Sequence, residues 1–191
     1  MPTGTTSAEA LTRMSAALAG AHRAIYKHCG RTFSTVATDT TATARTFRPD
    51  HGHQQRLSIQ DCIEITSVVE NGSTLTAGTH YIAEPLNGLD ELGLTVPYEG
   101  LSRYCAHWYH DDVMPTVTVT AKWGYATEAN GSPPGAVEAC KLLAQDILGA
   151  RDLTGDVAGF SEFGAVRIRQ NPTVAYLLHP LRRFEAIAVM A

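Results

Sequence analysis

The sequence has no long apolar run and no closely spaced pair of cysteines. Its four cysteines, Cys29, Cys62, Cys105 and Cys140, are widely separated, and none belongs to a CxxC motif. Each lies within or beside an apolar pattern, so we expect all four to be reduced and buried, as suits assembly in a cytoplasm. No apolar run approaches the ~20 residues that a membrane-spanning helix needs. The first residues lack a basic segment followed by an apolar block, so we expect a soluble protein without signal peptide or membrane partner.

The motifs of common catalytic sites are also absent. No GxSxG follows a predicted strand, and neither GxGxxG nor GxxxxGK followed by Ser or Thr occurs. The glycine-rich stretch Gly155–Gly164 contains no lysine, and its acids would repel a phosphate. Asp111 and Asp112 are adjacent, so on a strand their carboxylates would diverge rather than share a proton. The sequence therefore predicts a protein that is not an enzyme and has neither catalytic residues nor a cofactor.

One cluster has the residue types of a zinc site. His107 and His110 are followed by Asp111 and Asp112, with Cys105 just upstream. A strand would place residues three apart on opposite faces, and no second ligand pair stands at typical zinc spacing. We therefore interpret these side chains as loop residues and expect no metal.

Charge is unevenly distributed along the chain, whose formal net charge is −4. No Lys or Arg occurs from Leu57 to Ser102, a stretch with seven acids, whereas four arginines and one acid follow Val166. Such asymmetry is typical of differently solvated faces. It also fits a protein that docks by one end and repels polyanions with another.

Apolar periodicity predicts two main helices and a short third one. A helix over 8–29 has apolar residues at three- and four-residue spacing, which places on one face Leu11, Met14, Leu18, Ala21, Ile25 and His28. Ser132-Pro133 predicts the start of a second helix that ends near residue 150. Asn171-Pro172 predicts the start of a short third helix over 173–179.

Between the first two helices, the sequence predicts short antiparallel strands. Thr116–Trp123 alternates strictly between apolar and polar residues, and Asn71-Gly72 suits a type I′ hairpin turn. In the strand that follows Leu57, alternation places Ile59 and Asp61 on one face and Cys62 on the other. Residues 31–49 are rich in Thr and fit either an extended segment or edge hairpin, or a mobile arm.

These elements predict an α+β fold. We expect a small antiparallel helical body, formed by the two main helices and the short C-terminal one, with an inserted antiparallel β-sheet or partial barrel. The predicted domains are a helical body over 1–30 and 132–180, an inserted β-rich region over 31–131, and a C-terminal docking arm over 181–191.

Three aromatic residues stand close together after the acidic stretch. Tyr104, Trp108 and Tyr109 are candidates for an exposed interface patch, because interfaces are enriched in Tyr and Trp. The alternative is that Trp108, like Trp123, anchors the core of the sheet.

The region from Thr116 to Arg183 carries an ordered set of motifs. A strand ends in Trp123-Gly124, and a proline-started helix with Ala-Val-Glu-Ala and Leu-Leu-Ala follows. Next come the pattern Gly-Phe-x-Glu-Phe-Gly-x-Val-Arg and the ending Asn-Pro-x-Val-Ala-x-Leu-Leu-x-Pro-x-Arg-Arg. In this combination, about a third of the chain resembles the head-tail connector (adaptor) proteins of long-tailed bacteriophages, particularly those of actinobacterial hosts.

The resemblance implies a structural protein of the virion neck, assembled in the host cytoplasm. Such proteins form a ring, usually of twelve subunits, beneath the portal protein. The ring extends the channel through which double-stranded DNA passes without sequence-specific binding, and it receives a head-closure or tail terminator protein. The alternative function is that of a head-closure or tail-completion protein of the neck.

Two sets of site residues follow from this resemblance. A C-terminal segment that contacts the portal or a neighbouring subunit would use its cations and one aromatic residue, namely Arg167, Arg169, Arg182, Arg183 and Phe184. Acids of the β region are candidates to face the channel and discourage DNA from binding, namely Glu70, Glu84, Asp90 and Glu91. The same acids fit a solvated outer face of the sheet.

Overall fold

The computed structural model describes residues 7–49, 55–89, 95–154 and 171–183. The described chain divides into two compact units. The first contains the described parts of Met1–Arg31 and Pro133–Ala186, and the second those of Thr32–Ser132. The helices of the first unit are α1 (Ser7–Cys29), α2 (Pro134–Thr154) and α3 (Pro172–Leu178).

Helix α1 buries a face made mostly of small side chains. Its buried residues are Ala17, Ala21, Ala24, Ile25 and Cys29, and the helix packs against α2. It ends at Cys29, and Gly30 follows with a φ of 68° and donates its N–H to the Tyr26 carbonyl oxygen at 2.9 Å, as is typical of a helix C-terminal cap. The prediction of one apolar face is correct for its C-terminal half only, because Leu11, Met14 and Leu18 are exposed.

Helix α3 begins where the sequence predicts it. The Asn171 side chain accepts the Val174 N–H at 3.2 Å, and its amide donates to Asp146 of α2 at 3.1 Å. This confirms the predicted cap. Buried Val174 and Leu178 lie on the helix, which packs against α2. The chain then turns toward the end of α1, because the Arg183 N–H donates to the Cys29 carbonyl oxygen at 2.8 Å.

The second unit is built from eight strands. They are β1 (Thr35–Val36), β2 (Thr43–Phe47), β3 (Arg56–Glu70), β4 (Ser73–Leu75), β5 (Tyr81–Glu84), β6 (Tyr98–Arg103), β7 (Val117–Trp123) and β8 (Ala126–Thr127). Six form an antiparallel sheet in the order β2-β7-β3-β6-β5, with β4 paired to β3. The remaining two, β1 and β8, form a small parallel sheet. Beside it, Gly124 approaches β1 so closely that a Cβ atom there would overlap with Val36.

Strand β3 is the long centre of the sheet and changes its inward face along its length. Its first half buries Leu57, Ile59 and Asp61, whereas its second half buries Cys62, Val68 and Glu70. The change from odd to even positions coincides with register shifts against β7 near Cys62. An irregularity of this kind moves every later side chain to the other face. Cys62 is therefore buried in the same core as Ile59, and the prediction that the two lie on opposite faces is wrong.

The sheet has one apolar core. Its buried members are Leu57, Ile59, Cys62, Val68, Tyr81, Leu101, Trp108, Val117, Val119 and Ala121. The strict alternation predicted for Thr116–Trp123 is confirmed in β7, where every second residue from Val117 to Ala121 is buried. The predicted hairpin is also confirmed: β3 and β4 pair antiparallel around Asn71 and Gly72, whose φ values are 44° and 80°.

The predicted fold class is wrong. It placed a helical body at the centre and treated the sheet as an insertion, whereas strands outnumber helices in the described structure. Three helices there stand against a six-stranded antiparallel sheet and a two-stranded parallel one. The physical reason is partly that β1 and β2, in the segment that also fitted a mobile arm, pair with β8 and β7. The described strands do not close into a barrel, because the pairing order ends at β2 and β5.

The four cysteines form no disulfide, and they are not uniformly buried. Cys29 and Cys62 are buried, Cys140 is partly buried, and Cys105 is exposed, so the expectation of burial is wrong for Cys105. Burial raises the pKa of the Cys29 thiol to about 11, which keeps it protonated at neutral pH. Among the described residues, no helix combines the length and the apolar character that crossing a bilayer requires.

Candidate functional site

The connection between β6 and β7 exposes several large apolar side chains. We call residues 104–116 the docking loop. Four of its large apolar side chains are exposed, namely Tyr104, Tyr109, Val113 and Met114, and Val113 is 78% exposed. Exposed apolar side chains are typical of contact surfaces where they form one contiguous patch.

A tryptophan fixes the docking loop to the core. Trp108 is only 2% exposed, and its indole N–H donates to the Leu101 carbonyl oxygen at 3.3 Å. The Arg103 guanidinium lies 5.3 Å from the centre of its ring, within the range of a cation–π contact. Of the three aromatic residues predicted to form a patch, Trp108 is therefore a core residue, while Tyr104 and Tyr109 are at the surface.

A buried carboxylate holds the loop from the other side. The Glu70 carboxylate lies 3.1 Å from an Arg103 guanidinium nitrogen, and both side chains are nearly buried, at 10% and 12% exposure. The other Glu70 oxygen accepts the Tyr109 main-chain N–H at 2.8 Å. One side chain at the end of β3 thus neutralises Arg103 and positions the loop backbone.

The tip of the loop is a turn organised by Asp111. One Asp111 oxygen accepts the N–H groups of Val113 at 2.9 Å and of Met114 at 2.8 Å. These bonds, the Met114 one first, hold the pKa of Asp111 below its ordinary value. The Thr116 hydroxyl donates to the Tyr109 carbonyl oxygen at 2.5 Å and closes the base of the turn. The exposed apolar residues therefore stand on a loop whose backbone is fixed.

His110 connects the loop to the chain that precedes β3. Its Nδ1 lies 2.7 Å from the Pro49 carbonyl oxygen, and its Nε2 lies 3.1 Å from Asp112 Oδ1. Both partners are acceptors, so the ring satisfies both only when each nitrogen carries a proton. The Pro49 bond, followed by Asp112, accordingly raises the pKa of His110 above its ordinary value.

We expect the loop to loosen as pH rises. The pKa of His110 is raised in the folded chain, so the stabilisation that its protonated ring gives to the loop is fully present below about pH 6.5, the ordinary His pKa. That stabilisation is lost as pH rises through the raised pKa of His110. Hydrogen exchange of amides in residues 109–114, corrected for intrinsic rates, should become several-fold faster between pH 5.5 and pH 8.5, compared with the β3–β4 hairpin.

The exposed His107 provides the matched control for this titration. His107→Gln should leave the pH dependence in place, whereas His110→Gln should remove it. A pH dependence that survives in His110→Gln would contradict the assignment to this imidazole.

A second polar cluster surrounds Glu84, which is the other candidate channel acid that the structure describes. Arg56 Nε lies 2.6 Å from Glu84, and the Ser102 hydroxyl donates to the same carboxylate. Burial raises the pKa of Glu84, but the hydrogen bonds of Ser102 and Arg56 outweigh it and lower the pKa below its ordinary value. Arg56 also lies 3.7 Å from Glu99. Glu70 and Glu84 are therefore both paired with arginine, and Asp90 and Glu91 lie outside the described residues.

Of the predicted docking residues in the C-terminal segment, the structure describes Arg182 and Arg183 only. Arg182 is exposed and Arg183 is half-buried beside the end of α1. Arg167, Arg169 and Phe184 lie outside the described residues. Their role in portal contact stays a prediction.

The described site has the properties of a contact surface. In residues 7–49, 55–89, 95–154 and 171–183, no group of three or more His, Cys, Asp and Glu side chains is arranged to hold a metal ion. The sequence did not point to Val113 and Met114 as contact residues. The only available signal was the adjacent Asp111-Asp112 pair, whose polar side chains suit a turn.

Comparison with known proteins gives matches among solved structures. No protein-family model and no curated protein matches the chain. One match is a chain from the neck of a native gene transfer agent (GTA) particle, a neck that was computed with C12 symmetry. It superposes on this chain with a TM-score of 0.51 at 13% sequence identity. The match covers 93% of this chain and 84% of that one.

A chain from the neck of an empty GTA particle, computed with C6 symmetry, gives a similar match. Its TM-score is 0.50 at 15% identity, and the match covers 98% of this chain and 85% of the other. At such low identity these likenesses show a shared fold, which extends over nearly the whole chain.

Proposed function

We propose that this chain is a structural protein of a virion neck that forms the head-to-tail connector, or adaptor, ring beneath the portal. The observation that carries the proposal is the shared fold with chains from two particle necks, over more than nine tenths of this chain. The motifs between Thr116 and Arg183 support the same function independently, because they were identified from the sequence alone.

The proposed partners follow from that position. The ring is a homo-oligomer, with twelve subunits as the expected number, and the symmetry under which the matching necks were computed, C12 and C6, supports a rotational assembly. It joins the portal protein above to a head-closure or tail terminator protein below, and it extends the channel for double-stranded DNA. In this assembly the domains remain those of the sequence prediction, and residues 181–191 are a docking arm that contacts the portal or a neighbouring subunit.

The polar clusters suggest a reinterpretation of the channel acids. Glu70 and Glu84 each lie against an arginine, so their charges are largely neutralised within the sheet unit. They are poorly suited to repel DNA along a channel wall. Within the proposed ring, we assign these two acids to stabilising the sheet and its loops.

A head-closure or tail-completion protein is the second candidate function. The six-stranded antiparallel sheet of the described structure is the observation that favours it. The two candidates predict different positions in the same particle. An adaptor contacts the portal directly, whereas a closure protein lies one layer below.

Tagged particles test the proposal. A short peptide tag inserted after Gly72, at an exposed hairpin turn with open space around it, should be tolerated by the fold. Gold-labelled antibody should then bind at the head–tail junction. Symmetry-averaged electron microscopy should place the ring of this chain in contact with the portal. Deletion of the chain should leave DNA-filled heads without tails.

The alternatives give distinct outcomes in the same images. If the ring of this chain lies one layer below the portal, the chain is a head-closure or tail-completion protein and not the adaptor. Label on the capsid surface or the tail tip would reject both. An untagged particle treated with the same antibody is the control for nonspecific labelling.

A further inference from the structure

Strand β2 is an open edge of the six-stranded sheet. Among the described residues, Thr43–Phe47 pair with β7 on one side only, at the end of the pairing order. An edge strand presents a row of main-chain N–H and C=O groups that can pair with a further strand. Proteins usually protect such edges with a proline, a bulge or a charged side chain.

These protections are missing from the described strand β2. It contains no proline, and its five residues pair with β7 without a register shift. Its one charged side chain, Arg45, lies 4.5 Å from the centre of the Trp123 ring and donates to the Gln60 side chain. Trp123 is in β7 and Gln60 is in β3, so the guanidinium is turned back over the sheet and does not block the edge.

Two aromatic rings are incompletely covered at this edge. Phe47 of β2 and Trp123 of β7 have ring centres 5.7 Å apart, and both pack against the core but stay half-buried. Phe47 lies opposite the buried Val117, so its side chain is on the core face of the sheet. A strand added beside β2 would place every second side chain on that face. Large apolar residues at alternate positions would therefore cover the two rings.

The docking arm contains a segment of this kind. Residues 187–190 are Ile-Ala-Val-Met, without charge, glycine or proline. Ile187 and Val189 are β-branched, which favours a strand, and an extended backbone would place both on one face. The arm leaves the helical unit at a fixed point, because the Arg183 N–H donates to the Cys29 carbonyl oxygen at 2.8 Å.

We propose that residues 187–190 of one copy of this chain add as a strand to the β2 edge of the next copy. The inference rests on the proposed ring and assigns the docking arm to a neighbouring subunit. Each copy gives one strand and receives one, which is the heterologous contact from which rotationally closed rings are built. Main-chain hydrogen bonds would supply affinity, and Ile187 and Val189 on the two half-buried rings would set the register.

Cross-linking in assembled particles tests the contact. A Cys105→Ser background removes the exposed native thiol. Thr46→Cys then places a thiol on β2, on the face away from the core, and Ala188→Cys places one in the arm. In the added strand, Ala188 would lie on the same face as Thr46. A short bis-maleimide should therefore link successive copies into a ladder of dimers and higher multimers.

A cysteine at the other side of the same face is the matched control. Thr74 on β4 is exposed and lies on the face that carries Thr46, three strands away from β2. Thr74→Cys in place of Thr46→Cys puts the thiol about 14 Å from β2 and should give about ten-fold less product.

A pair of substitutions in the arm tests whether the added segment is a strand. Val189→Pro removes a main-chain donor that the added strand would need, so it should lower the number of rings in particles about ten-fold. Val189→Thr keeps a β-branched side chain and should stay within about two-fold of the parent chain. Equal ring formation by Val189→Pro and the parent chain would contradict the added strand.

The cross-linked products separate the possible occupants of the edge. If rings are visible but Thr46→Cys gives no more product than Thr74→Cys, the contact is wrong while the proposed function stands. A link within one copy would mean that the arm pairs with its own sheet unit. A link to a protein of different mass would assign the arm to the portal or another partner. Either result overturns this inference, and the absence of any ring of this chain rejects the proposed function as well.

Discussion

Replacing Glu70 with alanine is expected to lower the free energy of unfolding of the sheet unit by about 3–5 kcal/mol. The substitution leaves the Arg103 guanidinium nearly buried without the carboxylate that lies 3.1 Å away. It also removes the acceptor of the Tyr109 main-chain N–H. An uncompensated charge in a site of such low exposure costs far more than the loss of a surface ion pair.

Tryptophan fluorescence measures the loss of unfolding free energy in the sheet unit. Both tryptophans, Trp108 and Trp123, belong to the sheet unit, so urea unfolding followed by their emission reports on that unit. Glu64→Ala is the matched control, because Glu64 pairs with Lys122 at 2.9 Å but is 58% exposed. That control should cost less than about 1 kcal/mol.

A double variant separates the charge from the packing. Glu70→Leu combined with Arg103→Met removes both charges, so it should be closer in stability to the parent chain than Glu70→Ala. If Glu70→Ala lies within about 1 kcal/mol of the parent chain, the carboxylate does not have the structural role assigned here.

Local sequence signals predicted the elements that depend on few neighbours. The alternation in β7, the Asn71-Gly72 hairpin and the Asn171 cap all rely on residues close in the chain, and the structure has each of them. Such features follow from side-chain periodicity and from the φ preferences of single residues. They required no knowledge of the tertiary structure.

The wrong predictions about the sheet depended on partners distant in sequence. The sequence left the segment that contains β2 open between an extended segment or edge hairpin and a mobile arm. It is a strand because β7, seventy or more residues later, pairs with it. Register shifts against β7 turn Cys62 inward, and no alternation pattern in β3 alone reveals them. Long-range pairing is invisible to a local window, so the balance between sheet and helices could not be predicted.

The candidate site was predicted in part for the same reason. Tyr104 and Tyr109 are two of the three candidates for an exposed interface patch, and both are exposed, while their role as interface residues stays a prediction. Glu70 was assigned to a channel surface because its partner Arg103 lies beyond the acidic stretch in sequence and becomes a neighbour only in the sheet. The exposure of Leu11 and Met14 likewise depends on which part of α1 is covered by other elements.

Trp108→Ala is expected to lower the free energy of unfolding of the sheet unit by about 3–5 kcal/mol, whereas Tyr109→Ala should change it by no more than about 0.5 kcal/mol. The first removes a buried indole, its bond to the Leu101 carbonyl oxygen and its contact with Arg103. The second removes an exposed ring but keeps the main-chain N–H that Glu70 accepts. Urea unfolding followed by Trp123 emission measures both variants on one scale.

The two neighbouring aromatic residues should also differ in how they affect assembly. Tyr109→Ala should fold as the parent chain does yet form fewer rings in particles, because it removes an apolar contact from the docking loop. Trp108→Ala should reduce ring formation only because it unfolds part of the protein population. Ring formation should therefore return at a temperature at which the sheet unit of this variant is folded. If Tyr109→Ala destabilised the sheet as strongly as Trp108→Ala, the loop would belong to the core of the unit. Its exposed side chains would then have no separate function in docking.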